Sequence, residues 1–301
     1  MEKKEFMKEV KECPVCNSSE RKLLYKANIK NFDEKDFKIT DSQYGKHWNL
    51  YRCKNCGFVF SDPVPTAELL EKIYSSIKDP EYDLEEEGRA DNFKRILKRI
   101  KKLKGKGEIL DIGAATGIFM NLAKKVGFEV DGIEPSEWAV KRGKEKYGLE
   151  IKHTTLEKYQ TLKKYDIITM LDLIEHVENP KEVLKKVSSI LKDDGLLVLV
   201  TPDIDSFLRK ITGSRWWHFR PPHINFFNKK SLKLTLKNEG FEILSIKPYH
   251  WKFSLYYLIS RFSTGRKICD KIKPFGKLMK KIKIKLFLFD SVEVYARKKA
   301  N

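Results

Sequence analysis

Short apolar runs alternate with amphipathic segments along the chain from residue 108 onward. The runs predict β-strands, and hydrophobic residues spaced three or four positions apart predict helices between them. We expect strands at 108–113, 129–134, 150–153, 165–171, 195–201, 242–247 and 291–297. We expect helices near 118–126, 137–147, 180–191 and 230–239. This alternation predicts an α/β fold with a doubly wound, parallel sheet that carries helices on both faces.

The residues before this pattern divide into two further parts. Residues 1–65 hold short alternating segments and paired cysteines, and prolines at 63 and 65 punctuate their end. Residues 66–107 form a helical linker, because apolar residues recur at helical spacing from 89 to 104 before two glycines end the helix. We therefore expect a small N-terminal unit, a linker, and a main domain over residues 108–301.

Charge adds a further feature to the main domain. The chain has 61 Lys or Arg against 42 Asp or Glu, a formal net charge of +19. About +10 comes from an insertion at 252–285, where eleven Lys or Arg face one acid, Asp270. Apolar residues interleave with these cations, so the insertion can lie on an anionic membrane or bind a lipid phosphate. The alternative is a helix pair that covers the sheet with its charges in water.

The chain shows no apolar N-terminal run and no 18-residue apolar stretch. We therefore expect neither a signal peptide nor a spanning helix. Together with the cysteine pattern, this predicts a cytoplasmic protein, associated at most peripherally with the inner face of the membrane.

Four of the five cysteines form two pairs, Cys13-x-x-Cys16 and Cys53-x-x-Cys56. Each pair can bring two thiolates to one centre, and four sulfurs complete a tetrahedral Zn²⁺ site without an open position. Paired spacing of this kind is typical of metal ligands in a reducing compartment and not of disulfides. We therefore expect a structural zinc site.

The first apolar strand of the main domain ends in an acid and a glycine, Asp111-Ile112-Gly113, and Gly117 opens the next helix. In an open α/β sheet, ligands bind at the carboxyl ends of the strands, so a nucleotide-like ligand is expected at this turn. Glycine allows a positive φ and lets a ligand approach the backbone. Glu134 lies 23 residues after Asp111 at the end of the next strand, where a carboxylate can accept both ribose hydroxyls.

A dinucleotide would need a different loop. The fingerprint Gly-x-Gly-x-x-Gly lets a pyrophosphate rest on a helix N-terminus. Here Ala115 stands at the second glycine of that fingerprint, and the loop suits a ligand with a sulfonium and an amino acid in place of the pyrophosphate. This favours S-adenosylmethionine (SAM) over NAD.

Residues 109–203 carry four motifs in order: ILDIGAATG, GIEPS, YDIITMLD and LKDDGLLVLVTP. In this order they resemble the core of class I SAM-dependent methyltransferases. The resemblance implies a Rossmann-like, seven-stranded sheet whose last strand is antiparallel and inserted beside the fifth and sixth.

The same resemblance implies which residues bind SAM. Those expected at its methionine end lie in the glycine loop: Asp111, Gly113, Ala114 and Gly117. Those expected elsewhere follow the next three strands: Glu134 at the ribose, Thr155 and Leu156 near adenine, Leu171 and Asp172 near the methyl group.

Zinc-type cysteine pairs before a SAM core resemble two related groups: deoxysugar C-methyltransferases, and methyltransferases of surface-polysaccharide and lipid biosynthesis. The second resemblance extends through 61–63 and 215–227. It implies a small-molecule or lipid-linked acceptor, such as a hydroxyl of a sugar, lipid-linked glycan or quinone-like intermediate. The chain ends before the additional C-terminal domain of the sugar C-methyltransferases, so we expect transfer to oxygen at least as readily as to carbon.

Two segments predict where the acceptor binds. Asp172-Leu-Ile-Glu175-His176 follows the fourth strand, and His223 lies in the aromatic segment 216–227 after the fifth. The enzyme must align donor and acceptor and remove the acceptor proton, a task that suits histidine near neutral pH. His223 and His176 are therefore the candidate bases, His223 preferred, with Glu175 and Asp172 beside them. The structural alternatives are that His176 braces a loop and that His223 bonds the backbone of a proline-rich turn.

Asp172, Glu175 and His176 also resemble the Glu-x-x-Glu-His arrangement of small-RNA 2′-O-methyltransferases and ubiquinone-pathway O-methyltransferases. There, with a later histidine, the group can hold a divalent ion, which implies Mg²⁺ as a further cofactor.

Two other functions stay open. An RNA-directed methyltransferase would use the positive charge, although residues 171–174 lack the Asn-Pro-Pro-Tyr type of motif that binds a flipped base. A non-catalytic SAM- and zinc-binding module would need neither base.

Overall fold

The computed structural model describes residues 6–29, 34–38, 40, 44–261 and 273–299. Its N-terminal part contains five short strands: β1 (Met7–Lys8), β2 (Arg21–Tyr25), β3 (Leu50–Cys53), β4 (Val59–Ser61) and β5 (Val64–Pro65). Two longer helices follow, α1 (Ala67–Ser76) and α2 (Glu86–Lys104), with a 3-10 helix at Pro80–Glu85 between them.

The strands that follow the linker are β6 (Glu108–Ile112), β7 (Glu129–Glu134), β8 (Ile151–His153), β9 (Tyr165–Leu171), β10 (Leu191–Pro202), β11 (Asn225–Phe226), β12 (Phe241–Pro248), β13 (Trp251–Ser254), β14 (Lys283–Leu286) and β15 (Ser291–Lys298). The helices are α3 (Ile118–Lys125), α4 (Glu137–Tyr147), α5 (Pro180–Ile190), α6 (Phe207–Thr212), α7 (Lys229–Asn238), α8 (Leu255–Ser260) and α9 (Lys273–Lys281).

Seven strands form one central sheet in the order β12-β15-β10-β9-β6-β7-β8. The pairs from β10 through β8 are parallel, and β15 runs antiparallel to both β10 and β12. The predicted α/β fold is therefore confirmed, including an antiparallel last strand inserted beside the fifth and sixth. Strand order reverses between β6 and β9, so their carboxyl ends form the crevice where α/β proteins bind ligands.

One predicted boundary differs clearly from the structure. The fifth strand begins at Leu191 and not at residue 195, since Leu191 pairs with Tyr165 before the register shifts to Leu196. The positive φ at Asp194 marks a bend inside the strand, between its first residue and the longer paired stretch from Leu196.

The N-terminal strands do not form a sheet by themselves. The second sheet has the order β11-β4-β3-β2, and its strand β11 comes from the segment after the fifth strand of the main sheet. This antiparallel sheet therefore crosses the expected boundary at residue 65. Sequence patterning missed β11 because a two-residue strand exists only through its partner.

The predicted insertion is, in its described part, a hairpin of β13 and β14 with α8 and α9 between the strands. Its residues 262–272 lie outside the described residues. The hairpin packs on α2, where the Asn92 side chain bonds both the backbone N–H and the carbonyl of Lys252, each at 3.0 Å. Among the helices that the structure describes, none has both the length and the hydropathy to cross a bilayer.

Candidate active site

A cavity of about 340 Å³ opens at the carboxyl ends of β6, β7, β8 and β9. Its wall is mainly apolar, with Ile112, Ile133 and Leu156 among the lining residues. Three of the residues expected to bind the cofactor lie in this wall: Gly113, Thr155 and Leu156. The others expected in that role are not part of the lining: Asp111, Ala114, Gly117, Glu134, Leu171 and Asp172.

The two loop glycines have different structural roles. Gly113 has φ +75°, and a Cβ there would lie 3.2 Å from Leu173, a residue of the cavity wall. Gly117 has φ +77°, and its Cβ would lie 2.5 Å from the Leu149 side chain in the core. Gly113 thus keeps the cavity open, whereas Gly117 lets α3 pack against the sheet.

Asp111 and Glu134 are buried at the ends of neighbouring strands. Burial raises the pKa of Asp111 to about 7, although the Thr169 hydroxyl donates to its Oδ1 at 2.6 Å. Burial also raises the pKa of Glu134, against the backbone amides of Ser136 and Ala115, which donate to its two oxygens at 2.9 and 2.8 Å. Glu134 is thus held rigid while each oxygen keeps a lone pair for a ligand hydroxyl.

Sequence analysis missed Arg89, whose guanidinium lies over the Tyr82 ring at 4.1 Å. Its Nε is buried and has no hydrogen-bond partner among the described residues. Burial raises the pKa of Tyr82, the Arg89 charge lowers it, and the Glu134, Asp111 and Asp172 carboxylates raise it further. The detectable signal was an arginine on the apolar face of a predicted helix, four residues before Phe93.

Glu175 follows β9 and is fully buried. The Thr201 hydroxyl donates to its Oε2 at 3.0 Å, while Oε1 lacks a hydrogen-bond partner among the residues that the structure describes. Burial and the nearby Asp172 carboxylate hold the pKa of Glu175 well above its ordinary value. Asp172 has a positive φ of 55°, and burial raises its pKa to about 6.

The two candidate histidines lie edge to face, with ring centroids 4.6 Å apart. His176 has its Nδ1 3.0 Å from the Tyr74 hydroxyl and also hydrogen-bonds the Pro222 backbone, so its ring is held from both sides. His223 hydrogen-bonds the His218 backbone, but its buried Nδ1 has no partner in the described part of the chain. His223 therefore has an open ring nitrogen and His176 does not.

Both histidines are neutral imidazoles at neutral pH. Burial and the Arg220 charge lower the pKa of His176 to about 3. Burial, then His176 and Arg220, hold the pKa of His223 well below its ordinary value. A neutral imidazole can accept a proton or a hydrogen bond from a hydroxyl.

The donor set does not suit magnesium. One atom each of Glu175, His176 and His223 lie within 4.8 Å of one another, and Asp172 is not part of this group. Mg²⁺ prefers an octahedral shell of oxygens, whereas this group offers two imidazole nitrogens and one carboxylate. The expected Mg²⁺ site at Asp172, Glu175 and His176 is therefore not supported, and no step below uses a divalent ion.

The aromatic segment divides into core and site. Trp216 is fully buried and packs with Phe219 and Phe226. His218 has its Nε2 3.1 Å from the buried Asp290 carboxylate, and Trp216 Nε1 donates to the same carboxylate oxygen at 3.4 Å. Trp216 is therefore a core residue.

The four paired cysteines come together. The Sγ atoms of Cys13 and Cys56 are 3.6 Å apart, those of Cys16 and Cys53 are 3.5 Å apart, and all four lie within 4.8 Å. A tetrahedral zinc with Zn–S bonds of about 2.3 Å would place its sulfurs about 3.8 Å apart. The donor set and its spacing fit Zn²⁺.

Comparison with known proteins agrees with this geometry. A family model described as a methyltransferase domain matches residues 84–246. A ubiquinone biosynthesis O-methyltransferase of Bradyrhizobium diazoefficiens is 29% identical over 131 residues, which are 41% of this chain and 51% of that protein. One of Maricaulis maris is 30% identical over 166 residues, 49% of this chain and 65% of that protein. The chain thus spans about half to two thirds of the length of these curated relatives.

Solved structures give weaker matches. A protein of Pyrococcus horikoshii OT3 is 18% identical with a TM-score of 0.49, covering 75% of this chain and 95% of that chain. The magnesium protoporphyrin IX methyltransferase of Synechocystis PCC 6803 is 16% identical with a TM-score of 0.46, covering 70% of this chain and 84% of that one.

Proposed function

The chain belongs to the methyltransferase domain family, whose model covers more than half of it, and we propose that it transfers the methyl group of SAM to a hydroxyl of a small molecule. The observation that carries the proposal is the meeting of Glu175, His176 and His223 within 4.8 Å of one another. His176 belongs both to that cluster and to the cavity wall, so donor and acceptor can share one space.

The residues at the carboxyl ends of β6, β7, β8 and β9 fit SAM, which supplies an electrophilic methyl group on a sulfonium sulfur. Thr155 and Leu156 provide an apolar wall for the adenine, and Glu134 accepts the ribose hydroxyls with its remaining lone pairs. The loop residues hold the methionine end: Asp111, Gly113, Ala114 and Gly117. Leu171 and Asp172 lie at the end of β9, on the side of the methyl group.

Arg89 completes the methionine end. A buried guanidinium whose Nε has no hydrogen-bond partner among the described residues can bind the carboxylate of an amino acid through charge-assisted hydrogen bonds. Asp111 or Asp172 then faces the ammonium group. This arrangement gives each end of the zwitterion a partner of opposite charge.

His223 removes the acceptor proton. Its Nδ1 is open and neutral, so it can take a hydrogen bond from the acceptor hydroxyl and receive the proton as the oxygen gains the methyl group. A carboxylate oxygen of Glu175 lies within 4.8 Å of a ring nitrogen of His223. Because the pKa of Glu175 is raised and its Oε1 has no hydrogen-bond partner among the described residues, Glu175 helps to retain the transferred proton within the Glu175–His223 pair. His176, held by Tyr74 and Pro222, orients the acceptor and braces the site.

The four cysteines bind one structural Zn²⁺. The support is the sulfur spacing described above, and the closed Cys₄ set leaves no position for a substrate.

The acceptor is a sugar, lipid-linked or quinone-like hydroxyl. Two curated relatives are named ubiquinone biosynthesis O-methyltransferases, which favours a phenolic hydroxyl among these. A membrane-borne acceptor would also give the basic insertion a role at an anionic surface. RNA is the alternative anionic partner.

A single screen tests the proposal. The protein is incubated with SAM and, separately, 3,4-dihydroxybenzoate, lipid extract, sugar nucleotides or total RNA. Mass spectrometry follows S-adenosylhomocysteine and the methylated product. Small-molecule or lipid methylation that is lost in Glu134→Gln supports the proposal. Turnover with RNA alone points to an RNA methyltransferase, and SAM binding without turnover in any arm points to a non-catalytic module.

A further inference from the structure

We propose that the four-cysteine unit is a positioning element of the acceptor site: with its metal bound, it fixes segment 219–227 and, through it, Glu175 and His223. The unit would then control methyl transfer without taking part in SAM binding. The inference rests on the proposed function only for the roles of Glu175 and His223. The contacts that support it do not depend on those roles.

The first link runs from the cysteines to strand β4. Cys53 ends β3, and the turn that follows carries Cys56 three residues before β4 begins. Backbone bonds from Gly57 N to Cys53 O at 3.1 Å and from Cys53 N to Phe58 O at 2.9 Å close this turn. A metal ion held by both cysteines would therefore fix where β4 starts.

The second link runs from β4 to segment 219–227, the acceptor segment. Val59 and Phe60 pair with Phe226 and Asn225 of β11, and Ser61 N donates to Ile224 O at 2.9 Å. Strand β4 lies between β3 and β11, so the acceptor segment is an edge strand of the cysteine-bearing sheet.

The third link runs from β11 to the loop after β9, which carries Glu175 and His176. The backbone amides of Ile224 and Asn225 both donate to the carbonyl of Glu175 at 3.0 Å. The Asn225 side chain also donates to Val177 O at 2.6 Å. His223 immediately precedes these residues. Strand β11 and the residue before it thus hydrogen-bond the Glu175 backbone on one side, and strand β4 pairs with β11 on the other.

Side chains of the N-terminal unit support the same segment. The buried Trp48 Nε1 donates to Pro221 O at 2.9 Å, and Gly45 N donates to Phe219 O at 2.8 Å. The Phe58 and Phe227 rings lie 4.8 Å apart in a core that also contains Cys13 and Cys56. The unit therefore touches segment 219–227 along most of its length.

The cofactor loop is held by different residues. Glu134 bonds Ala115 and Ser136, and Asp111 bonds Thr169, all within the main sheet and its loops. Within the described ranges, neither carboxylate forms a hydrogen bond to the N-terminal unit. Loss of the metal is therefore expected to release the acceptor segment before the cofactor loop.

Hydrogen–deuterium exchange on the full-length protein tests this without any acceptor. Zinc-loaded protein is compared with protein treated with EDTA, and SAM affinity of both is measured by calorimetry. We expect exchange in peptide 219–227 to rise at least tenfold on zinc removal. Peptide 108–134 and the SAM dissociation constant should change less than threefold.

Two outcomes overturn the inference. One is unchanged protection of 219–227 after zinc removal. The other is equal loss in 219–227 and 108–134, which would make the metal a support of the whole fold. Since neither readout needs turnover, failure of the proposed function leaves this test intact.

A matched pair of variants separates positioning from metal binding. Trp48→Phe keeps an aromatic side chain but replaces the indole and so removes the bond to Pro221; metal content should stay at the wild-type level while exchange near 219–224 rises about fivefold. Lys22→Ala, exposed on the far edge strand β2, should change neither. No effect of Trp48→Phe on exchange would contradict the inference.

Discussion

The Thr169 hydroxyl donates a 2.6 Å hydrogen bond to Asp111 across the pair of strands β6 and β9, where the two residues are register partners. Thr169 is fully buried and Asp111 nearly so. A single hydroxyl bond does not offset the loss of water around the carboxylate, and burial raises the pKa of Asp111 to about 7. The acid that opens the cofactor loop is therefore kept at a cost to the stability of the ligand-free fold.

Asp111→Asn should stabilise the ligand-free protein above neutral pH. Because the folded pKa is raised, the group supports folding at low pH, and this support is lost as pH rises from about 4 to about 7. Asparagine keeps the acceptor for Thr169 without the charge. When the pH rises from 5 to 8, the difference in free energy of unfolding between variant and wild type should shift by about 2 kcal/mol in favour of the variant. Urea denaturation at both pH values measures this.

Asp131→Asn serves as the control with the opposite sign. Asp131 lies on β7, and although burial opposes it, the bonds from Lys163 and Tyr165 lower the pKa of Asp131. Removal of this carboxylate should destabilise the protein at pH 8. An Asp111→Asn variant less stable than wild type at pH 8 would show that the carboxylate supports the ligand-free fold.

Arg89→Gln should weaken SAM binding by ten- to hundredfold, because a charge-assisted bond to the methionine carboxylate contributes about 1.5–3 kcal/mol. Calorimetric titration with SAM measures the loss. Lys98→Gln, on the exposed face of the same helix, removes the same charge and should leave the affinity unchanged. Equal affinity of Arg89→Gln and wild type would remove Arg89 from the cofactor site.

The fold was predictable because its elements carry their own signals. The helix over Glu137–Tyr147 and the strand over Tyr165–Leu171 match the expected bounds residue for residue, since a cap or turn closes each end. Strand β11 was not predictable: Asn225–Phe226 is a strand only because β4 lies beside it. Local patterning reports local structure, and pairing between residues some 165 positions apart has no local signal.

The site was predictable to the extent that motifs carry it. Glu175, His176 and His223 were expected from two separate segments, and the structure brings them within 4.8 Å. Asp172, which follows β9 with a positive φ, lies outside this group. Which histidine keeps an open nitrogen depends on Tyr74 and the Pro222 backbone, contacts that no sequence spacing encodes.

His223→Gln should lower kcat by two to four orders of magnitude, the usual contribution of a general base, while SAM affinity stays within threefold. His176→Gln should lower kcat less than His223→Gln does and should raise the KM of the acceptor more, because His176 positions the acceptor and does not take its proton. Steady-state kinetics with the acceptor found by extract screening gives both constants. His250→Gln, which packs against Phe287 away from the cluster, is the control. Equal loss of kcat in the His176 and His223 variants would contradict the division of roles.

The basic insertion should bind anionic membranes through its outer surface. Lys252 and Lys283 are paired with Asp91 and Glu87 of α2, so their charges are already balanced. Outside these pairs, Leu278, Ile282, Phe287 and Phe289 are each more than 40% exposed, and Lys280, Lys281 and Lys285 lie among them. Apolar side chains between cations match the interface of an anionic bilayer.

Vesicle co-sedimentation measures this binding. Vesicles with 30% phosphatidylglycerol, as a probe, should bind the protein at least tenfold more tightly than pure phosphatidylcholine, because each lysine near the surface contributes about 1 kcal/mol. The double variant Lys280→Glu, Lys281→Glu should lose that preference. Lys124→Glu with Lys125→Glu makes the same charge change at the end of α3 and should keep it. If both double variants lose binding equally, net charge and not the insertion directs the protein to the membrane. Binding that survives 0.5 M salt would instead assign the interaction to the apolar residues alone.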